Sequence, residues 1–187
     1  MNEKWWLITW STFGTWLPGD PRGFQTWRGR KHVPPPKKYA KENEPTYKSK
    51  NYEGLHAVSE RNSGDAVELS MPHQKLALKA IVNDLKNVPL NPAIIAVGST
   101  HVHFLAHFGE LRIRRTIGRL KASATRELHE SGNSNERIWS RNCHMKSKDN
   151  NREFETAFNY IARHREESAL VHIWQRPGSL TDDKSSA

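Results

Sequence analysis

AIIAVGSTHVHFLAHF, residues 93–108, carries the clearest indication of structure in this chain of 187 residues. Residues 93–99 form a continuous apolar run, which is typical of a buried strand. Residues 101–108 alternate between polar and apolar side chains, which indicates a second strand. Gly98, Ser99 and Thr100 provide a tight connection between the two. This part of the chain therefore predicts two consecutive strands joined by a short turn.

The flanking segments extend the pattern on both sides. Residues 72–87 have apolar side chains at helical spacing, with Ser70 as a plausible N-cap. The predicted elements in chain order are a strand over 4–12, a helix over 72–87, strands over 93–99 and 101–108, a helix over 111–129, a strand over 137–147 and a helix over 152–168. This order suits an α+β fold, a ferredoxin-like βαββαβ sandwich with an antiparallel sheet and an added C-terminal helix that carries Tyr160.

A long basic segment interrupts this order after the first strand. Residues 18–71 are polar, contain the run Pro34-Pro35-Pro36 and show no clear period. We interpret them as an insertion that is either loop-like or ordered by a ligand. The length of the chain suggests one domain over residues 1–175, with residues 176–187 as a frayed tail.

The composition excludes several classes of protein. Cys143 is the single cysteine, which rules out an internal disulfide framework and any zinc site built from several cysteines. No apolar run approaches the roughly 18 residues of a membrane-spanning helix. The N-terminal residues show no small-residue cleavage site, so a secretory signal is not expected. These features together predict a cytoplasmic protein.

Basic residues are concentrated in three blocks. The chain has a net charge of +9, and residues 18–50, 111–126 and 137–148 carry net charges of +6, +6 and +4. A single block is usually a solvated surface, but three blocks that lack compensating acids favour binding of a polyanion. On the predicted helix over 111–129, four arginines fall on the face opposite the apolar stripe, namely Arg112, Arg115, Arg119 and Arg126. Trp16, Trp27 and Trp139 are candidates for stacking on unpaired bases, although burial is the commoner fate of tryptophan.

Two pairs of residues have the spacing that metal binding or catalysis requires. His101 and His103 lie two apart on a strand, so both imidazoles project from one face and can reach one metal ion. Tyr160 and His164 lie four apart on a helix and are neighbours on its surface. The alternatives are two surface histidines on an edge strand and an ordinary amphipathic helix.

In combination, these segments resemble the single-tyrosine HUH transposases, and most closely the REP-associated tyrosine transposases, which are insertion-sequence-200-like proteins. The matching segments are GTWLPGDPRGF (14–24), HVHFL (101–105), RIRRTIGRLKASATREL (112–128), Trp139-Ser140-Arg141 and YIARH (160–164). The resemblance extends in order and spacing over residues 4–175. It is most specific in the spacing between the histidine pair and the helical tyrosine.

The resemblance implies a metal-dependent single-stranded DNA endonuclease and strand transferase. Such an enzyme cleaves and rejoins DNA through a 5′-phosphotyrosine at hairpin or palindromic repeat elements, in the bacterial cytoplasm in association with the nucleoid. The nucleophile would be Tyr160, and His101, His103 and His164 would hold a divalent cation, Mg²⁺, Mn²⁺ or another transition metal. The predicted DNA-binding residues are Arg112, Arg115, Arg119, Arg126, Arg22, Trp139 and Arg141. A monomer is preferred over a homodimer.

The sequence departs from the family pattern at three points. Thr100 stands where Asn often precedes the histidine pair, residues 163–167 replace an Asn-Pro turn, and His164 replaces a carboxamide. Three imidazoles should tolerate Mn, Co, Ni or Zn better than Mg. Two other interpretations stay open: a non-catalytic protein that binds structured single-stranded DNA or RNA through the same basic surface, and a structural metal at the three histidines.

Overall fold

A computed structural model of the chain describes residues 4–25, 32–35, 52 and 54–174. The chain divides into two compact units, one formed by Met1–Thr12 with Glu68–Ala187 and the other by Phe13–Val67. The smaller unit corresponds closely to the predicted insertion over residues 18–71. The organisation as one domain over 1–175 stays a prediction, and the tail over 176–187 lies outside the described residues.

The regular elements follow the predicted order in most places. In chain order they are β1 (Trp5–Ser11), β2 (Phe24–Gln25), β3 (His32–Val33), α1 (Leu55–Ser63), α2 (Met71–Leu85), β4 (Asn91–Val97), β5 (His101–His107), α3 (Ile113–Glu130), β6 (His144–Lys148), α4 (Asn151–Arg163) and β7 (Leu170–Ile173). None of these helices is both long enough and apolar enough to span a lipid bilayer.

Five strands of the larger unit form one antiparallel sheet in the order β6-β1-β5-β4-β7. Without β7, the elements β1, α2, β4, β5, α3 and β6 give the predicted βαββαβ order. The α+β fold class is thereby confirmed. Because β1 and β4 flank β5, the strand with the histidine pair lies at the centre of the sheet.

The core surrounds β4, which is why its sequence is continuously apolar. Every residue from Ala93 to Val97 is at most 1% exposed. Helix α4 contributes Phe154, Phe158 and Ile161 to a cluster that includes Ile94 and Leu105. Helix α2 packs against α3 and β4. The strand pair predicted from residues 93–108 is therefore the layer on which the helices pack.

Two predicted elements have boundaries that are wrong by several residues, and one strand was not predicted. Residues 137–143 precede β6 and are not part of it; Ile138 and Trp139 are both buried, which breaks the alternation of a strand, and Trp139 makes an isolated bridge with Thr12. The helix over 152–168 ends at Arg163 and continues as a 3₁₀ turn over His164–Glu167. Strand β7 lies beyond the last predicted element. The predicted insertion contains β2, β3 and α1.

Candidate functional site

Strand β5 presents His101 and His103 from one face, as their spacing predicts. The centroids of their two rings lie 4.8 Å apart. In the antiparallel register with β1, His103 lies opposite Thr9 and His101 lies opposite Ser11. His103 is only 6% exposed, whereas His101 is partly exposed.

Helix α4 and the 3₁₀ turn bring His164 and Tyr160 to the same place. The His164 ring centroid lies 4.5 Å from that of His103 and 5.6 Å from that of His101. The possible ligand atoms of the three histidines all lie within 4.8 Å of one another. This is the one group of three His, Cys, Asp or Glu side chains within the described ranges that could hold a metal ion. We call it the histidine triad.

Each imidazole of the histidine triad uses its Nδ1 atom in a hydrogen bond. His103 Nδ1 lies 2.8 Å from Thr9 Oγ1, and His101 Nδ1 lies 3.1 Å from Thr100 Oγ1. His164 Nδ1 donates to the backbone carbonyl of Tyr160 at 2.9 Å. Because a carbonyl can only accept, the proton of neutral His164 is on Nδ1, and the lone pair of its Nε2 can bind a metal.

The electrostatics of the histidine triad suit a ligand set. Burial, followed by the charges of His101 and His164, lowers the pKa of His103 to about 3. His103 is therefore neutral at neutral pH and keeps a lone pair, which metal binding requires. Three imidazoles without a carboxylate form a donor set that suits Mn, Co, Ni or Zn. The residues present therefore fit a divalent transition-metal ion.

The phenol of Tyr160 lies at the edge of the histidine triad. Its Oη atom lies 3.5 Å from His103 Nε2, and its ring packs edge-on against those of His103 and His164. Tyr160 is 40% exposed, so part of the residue faces solvent. Burial, followed by the charge of Glu167, raises the pKa of the phenol. The structure thus brings together all four residues for which metal binding or nucleophilic attack was predicted.

The predicted basic residues of α3 differ in their environments. Arg112, Arg115 and Arg126 are exposed. Arg119 instead pairs with Asp84 of α2, with its Nη2 2.7 Å and its Nε 3.1 Å from Asp84 Oδ1, and its Nε 3.0 Å from Oδ2. All four predicted arginines are therefore exposed, but the charge of Arg119, whose side chain is 51% exposed, is paired with Asp84.

The other predicted nucleic-acid contacts are also divided. Arg141 is exposed, and Arg22 lies in the smaller unit. Trp139 is 6% exposed and packs against Trp10 with ring centroids 6.4 Å apart, so its ring belongs to the core and is not a surface for a base. Trp16 is 54% exposed, and Trp27 lies outside the described residues.

The sequence interpretation did not include Thr9, whose hydroxyl contacts His103. Thr9 becomes a neighbour of His103 only through the register of β1 on β5, which pairs residues 94 positions apart. The signal available in the sequence was a polar residue among the apolar residues of the first strand.

Comparisons with known proteins give a limited result. No protein-family model matches the chain, and no curated protein matches it. Among solved structures, the chain is similar to a REP-associated tyrosine transposase bound to a REP hairpin, with a TM-score of 0.47 and 12% sequence identity. The match covers 90% of this chain and 70% of that one. Similarity at this level does not transfer an activity or a partner to this chain.

Proposed function

We propose that this protein is a metal-dependent single-stranded DNA endonuclease and strand transferase. It cuts and rejoins DNA at hairpin or palindromic repeat elements through a 5′-phosphotyrosine. The observation that carries this proposal is the phenol oxygen of Tyr160, 3.5 Å from His103 Nε2, at the edge of three imidazoles whose ligand atoms lie within 4.8 Å of one another. The substrate class comes from the sequence resemblance to REP-associated tyrosine transposases.

In this proposal, His101, His103 and His164 hold the divalent cation. When bound, such a cation neutralises charge on the non-bridging oxygens of a phosphodiester and favours the ionised form of a nearby phenol. Mn²⁺ suits three imidazoles better than Mg²⁺ does. The Nδ1 hydrogen bonds of the histidine triad fix the three rings, so that the ligand set is formed before the ion arrives.

Tyr160 is the nucleophile in this proposal. Its Oη attacks the phosphorus, the bond from phosphorus to the 3′ oxygen breaks, and the 5′ phosphate stays on the tyrosine. The phenol loses a proton and the departing 3′ oxygen gains one. Because the raised pKa of Tyr160 keeps the phenol protonated at neutral pH, removal of this proton is part of the barrier. The reverse attack by a 3′ hydroxyl rejoins the strand, so no nucleotide cofactor is needed.

The exposed arginines are the proposed contacts to the DNA backbone. Arg115 and Arg126 lie on α3, Arg112 is its N-cap residue, and Arg141 precedes β6. Contacts to phosphates supply affinity that depends on salt and carry little sequence information. We include Arg22 and Arg119 in the proposal, and Trp139 only if its ring leaves the core.

The proposal also covers the oligomeric state and the location of the protein. One chain contains the whole site, which favours a monomer. We propose a location at the bacterial nucleoid.

Covalent trapping tests the proposal. The protein is incubated with hairpin-bearing single-stranded oligonucleotides and Mn²⁺, and adducts that resist SDS are measured by gel shift. We expect an adduct with the wild type and with the matched control Tyr52→Phe, and none with Tyr160→Phe. An adduct that persists in Tyr160→Phe would refute the nucleophile. DNA binding without an adduct in any metal would favour the non-catalytic binding protein.

A further inference from the structure

Trp16 is the most exposed large hydrophobic side chain of the described residues, at 54%. Its indole N–H donates to the carbonyl oxygen of Gly23 at 2.7 Å, which fixes the orientation of the ring. The guanidinium carbon of Arg22 lies over the ring, 5.2 Å from its centroid. We call this pair the Trp16–Arg22 platform. A fixed and exposed indole is a large apolar surface that the smaller unit leaves in contact with water.

A buried carboxylate holds the guanidinium of the platform. Asp20 is 3% exposed and accepts hydrogen bonds from Arg22 Nε at 2.9 Å, from Nη2 at 2.7 Å and from the backbone N–H at 2.8 Å. Arg22 Nη2 also donates to the carbonyl of Thr15 at 2.6 Å. Burial opposes ionisation of Asp20, but the hydrogen bonds and charge of Arg22 outweigh it and hold the pKa of the carboxyl below its usual value. The Arg22 side chain nevertheless stays 62% exposed.

Three glycines around the platform, Gly14, Gly19 and Gly23, have a positive φ and no room for a Cβ, and the approach is closest at Gly19 and Gly14. Gly19 has a φ of +85°, and a Cβ there would lie 2.4 Å from the backbone nitrogen of His56. Gly14 has a φ of +79°, and a Cβ there would lie 2.8 Å from the Cα of Ala66. The loop is therefore closely packed on the rest of the smaller unit, and the platform is held in place before any ligand binds.

We propose that the Trp16–Arg22 platform binds an unpaired nucleobase of a single-stranded nucleic acid, which stacks on the indole with its phosphate beside the guanidinium. The exposed indole favours a flat ring. Because Asp20 neutralises the charge of Arg22, the guanidinium contributes hydrogen-bond donors for a phosphate oxygen and little net attraction. Stacking on an aromatic ring tolerates every base, and arginine contributes through its cation–π contact. The platform would add a DNA contact to the proposed function, and its assignment to single-stranded nucleic acid rests on that proposed function.

Binding measurements with single-stranded DNA test the platform in the background of Tyr160→Phe, which separates binding from catalysis. Fluorescein-labelled oligothymidylate is titrated and followed by anisotropy. Replacing Trp16 by Ala should weaken binding about 5- to 150-fold, the usual loss of one stacked base. Trp16→Phe should keep most of the affinity. The matched control is Val58→Ala, which shortens another exposed apolar side chain of the smaller unit and should bind like the parent.

An abasic scan assigns the lost affinity to a base. One nucleotide at a time is replaced by an abasic residue in a hairpin oligonucleotide with unpaired flanks. In the parent, one unpaired position should show a large loss of affinity, and Trp16→Ala should show no further loss at that position. Equal losses in both proteins at every position, unchanged affinity in Trp16→Ala, or no binding of single strands by the parent would each overturn the platform. Binding that behaves as expected without a Tyr160 adduct in the wild type would overturn only the proposed catalysis.

Discussion

At the scale of single residues, the site depends on hydrogen bonds that hold the imidazoles. The hydrogen bond from His164 Nδ1 to the carbonyl of Tyr160 joins a proposed metal ligand and the proposed nucleophile through one turn of chain. For His103, the partner is the Thr9 hydroxyl, which can either donate or accept. With a metal on Nε2 of His103, Nδ1 would carry the proton and donate a hydrogen bond to Thr9 Oγ1. Thr9 is therefore a positioning residue for the ligand set.

Substitution of Thr9 tests this role. Valine has the shape of threonine without its hydroxyl, so Thr9→Val should preserve packing. It should weaken Mn²⁺ binding by roughly 10- to 100-fold, the usual effect of losing a hydrogen bond to the non-coordinating nitrogen of a metal-binding histidine. Thr9→Ser keeps the hydroxyl and should bind close to wild type. Isothermal titration calorimetry of the metal-free protein measures both affinities. Equal affinities for the Val and Ser variants would remove Thr9 from the metal site.

At the scale of elements, the arginines of α3 have two roles that the sequence does not distinguish, namely exposed positive charge and an ion pair with α2. Its apolar stripe is buried as predicted at Ile117, Leu120, Ala124 and Leu128. Its basic face was predicted to be uniform, yet Arg119, although exposed, pairs with Asp84 of α2. A helical period identifies the face on which an arginine lies. The acid that approaches from another helix depends on packing, which the period does not contain.

The salt dependence of DNA binding distinguishes these arginines. Replacing Arg115 by Ala should reduce the slope of log K against log salt by about one, because one phosphate contact is lost. Arg119→Ala should reduce it less, since Asp84 already occupies that guanidinium. Asp84→Asn should release Arg119 and steepen the slope by more than the control Glu130→Gln, which removes the same charge from the end of α3. Equal slopes for Arg115→Ala and wild type would exclude this face from the interface.

Lys121 connects α3 to the segment before β6. Its Nζ donates to the carbonyls of Ser140 at 2.9 Å and of Asn142 at 3.0 Å. Burial lowers its pKa from 10.5 to about 8. The unfolded chain therefore binds more protons than the folded chain between pH 8 and 10.5. In that window the contribution of Lys121 to stability rises with pH.

Urea unfolding across this pH range measures the effect. The free energy of unfolding of the wild type, minus that of Lys121→Met, should increase as pH rises from 8 to 10.5. The loss of the two hydrogen bonds adds an offset that does not depend on pH. The exposed lysine variant Lys79→Met supplies the control. A difference that stays constant or shrinks with pH would show that Lys121 is not destabilised by burial as described.

At the scale of the whole molecule, the sequence predicted the order of the elements better than their boundaries and the connections between them. The apolar run and the alternation over residues 93–108 gave β4 and β5, because each period reports the burial of a strand directly. Strand β7 was missed because it is four residues long and follows a 3₁₀ turn that is capped by Ser168, which has a φ of +63°. The histidine triad was predicted only with the family resemblance, since periodicity alone does not bring β5 and α4 together.

Because the histidine triad joins β5 to α4, metal binding should stabilise the larger unit as a whole. An ion that binds only the folded state at 100 times its Kd adds about 2.7 kcal/mol. For a chain of this size, that corresponds to a rise in Tm of about 5–11 °C. We expect Mn²⁺ to give this rise in a thermal scan, Mg²⁺ to give less, and a chelator to reverse it. His101→Gln should abolish the rise, whereas His144→Gln, which replaces an exposed histidine of β6, should keep it. An equal rise in both variants would mean that the ion binds elsewhere, and the proposed chemistry at Tyr160 would then lack its cation.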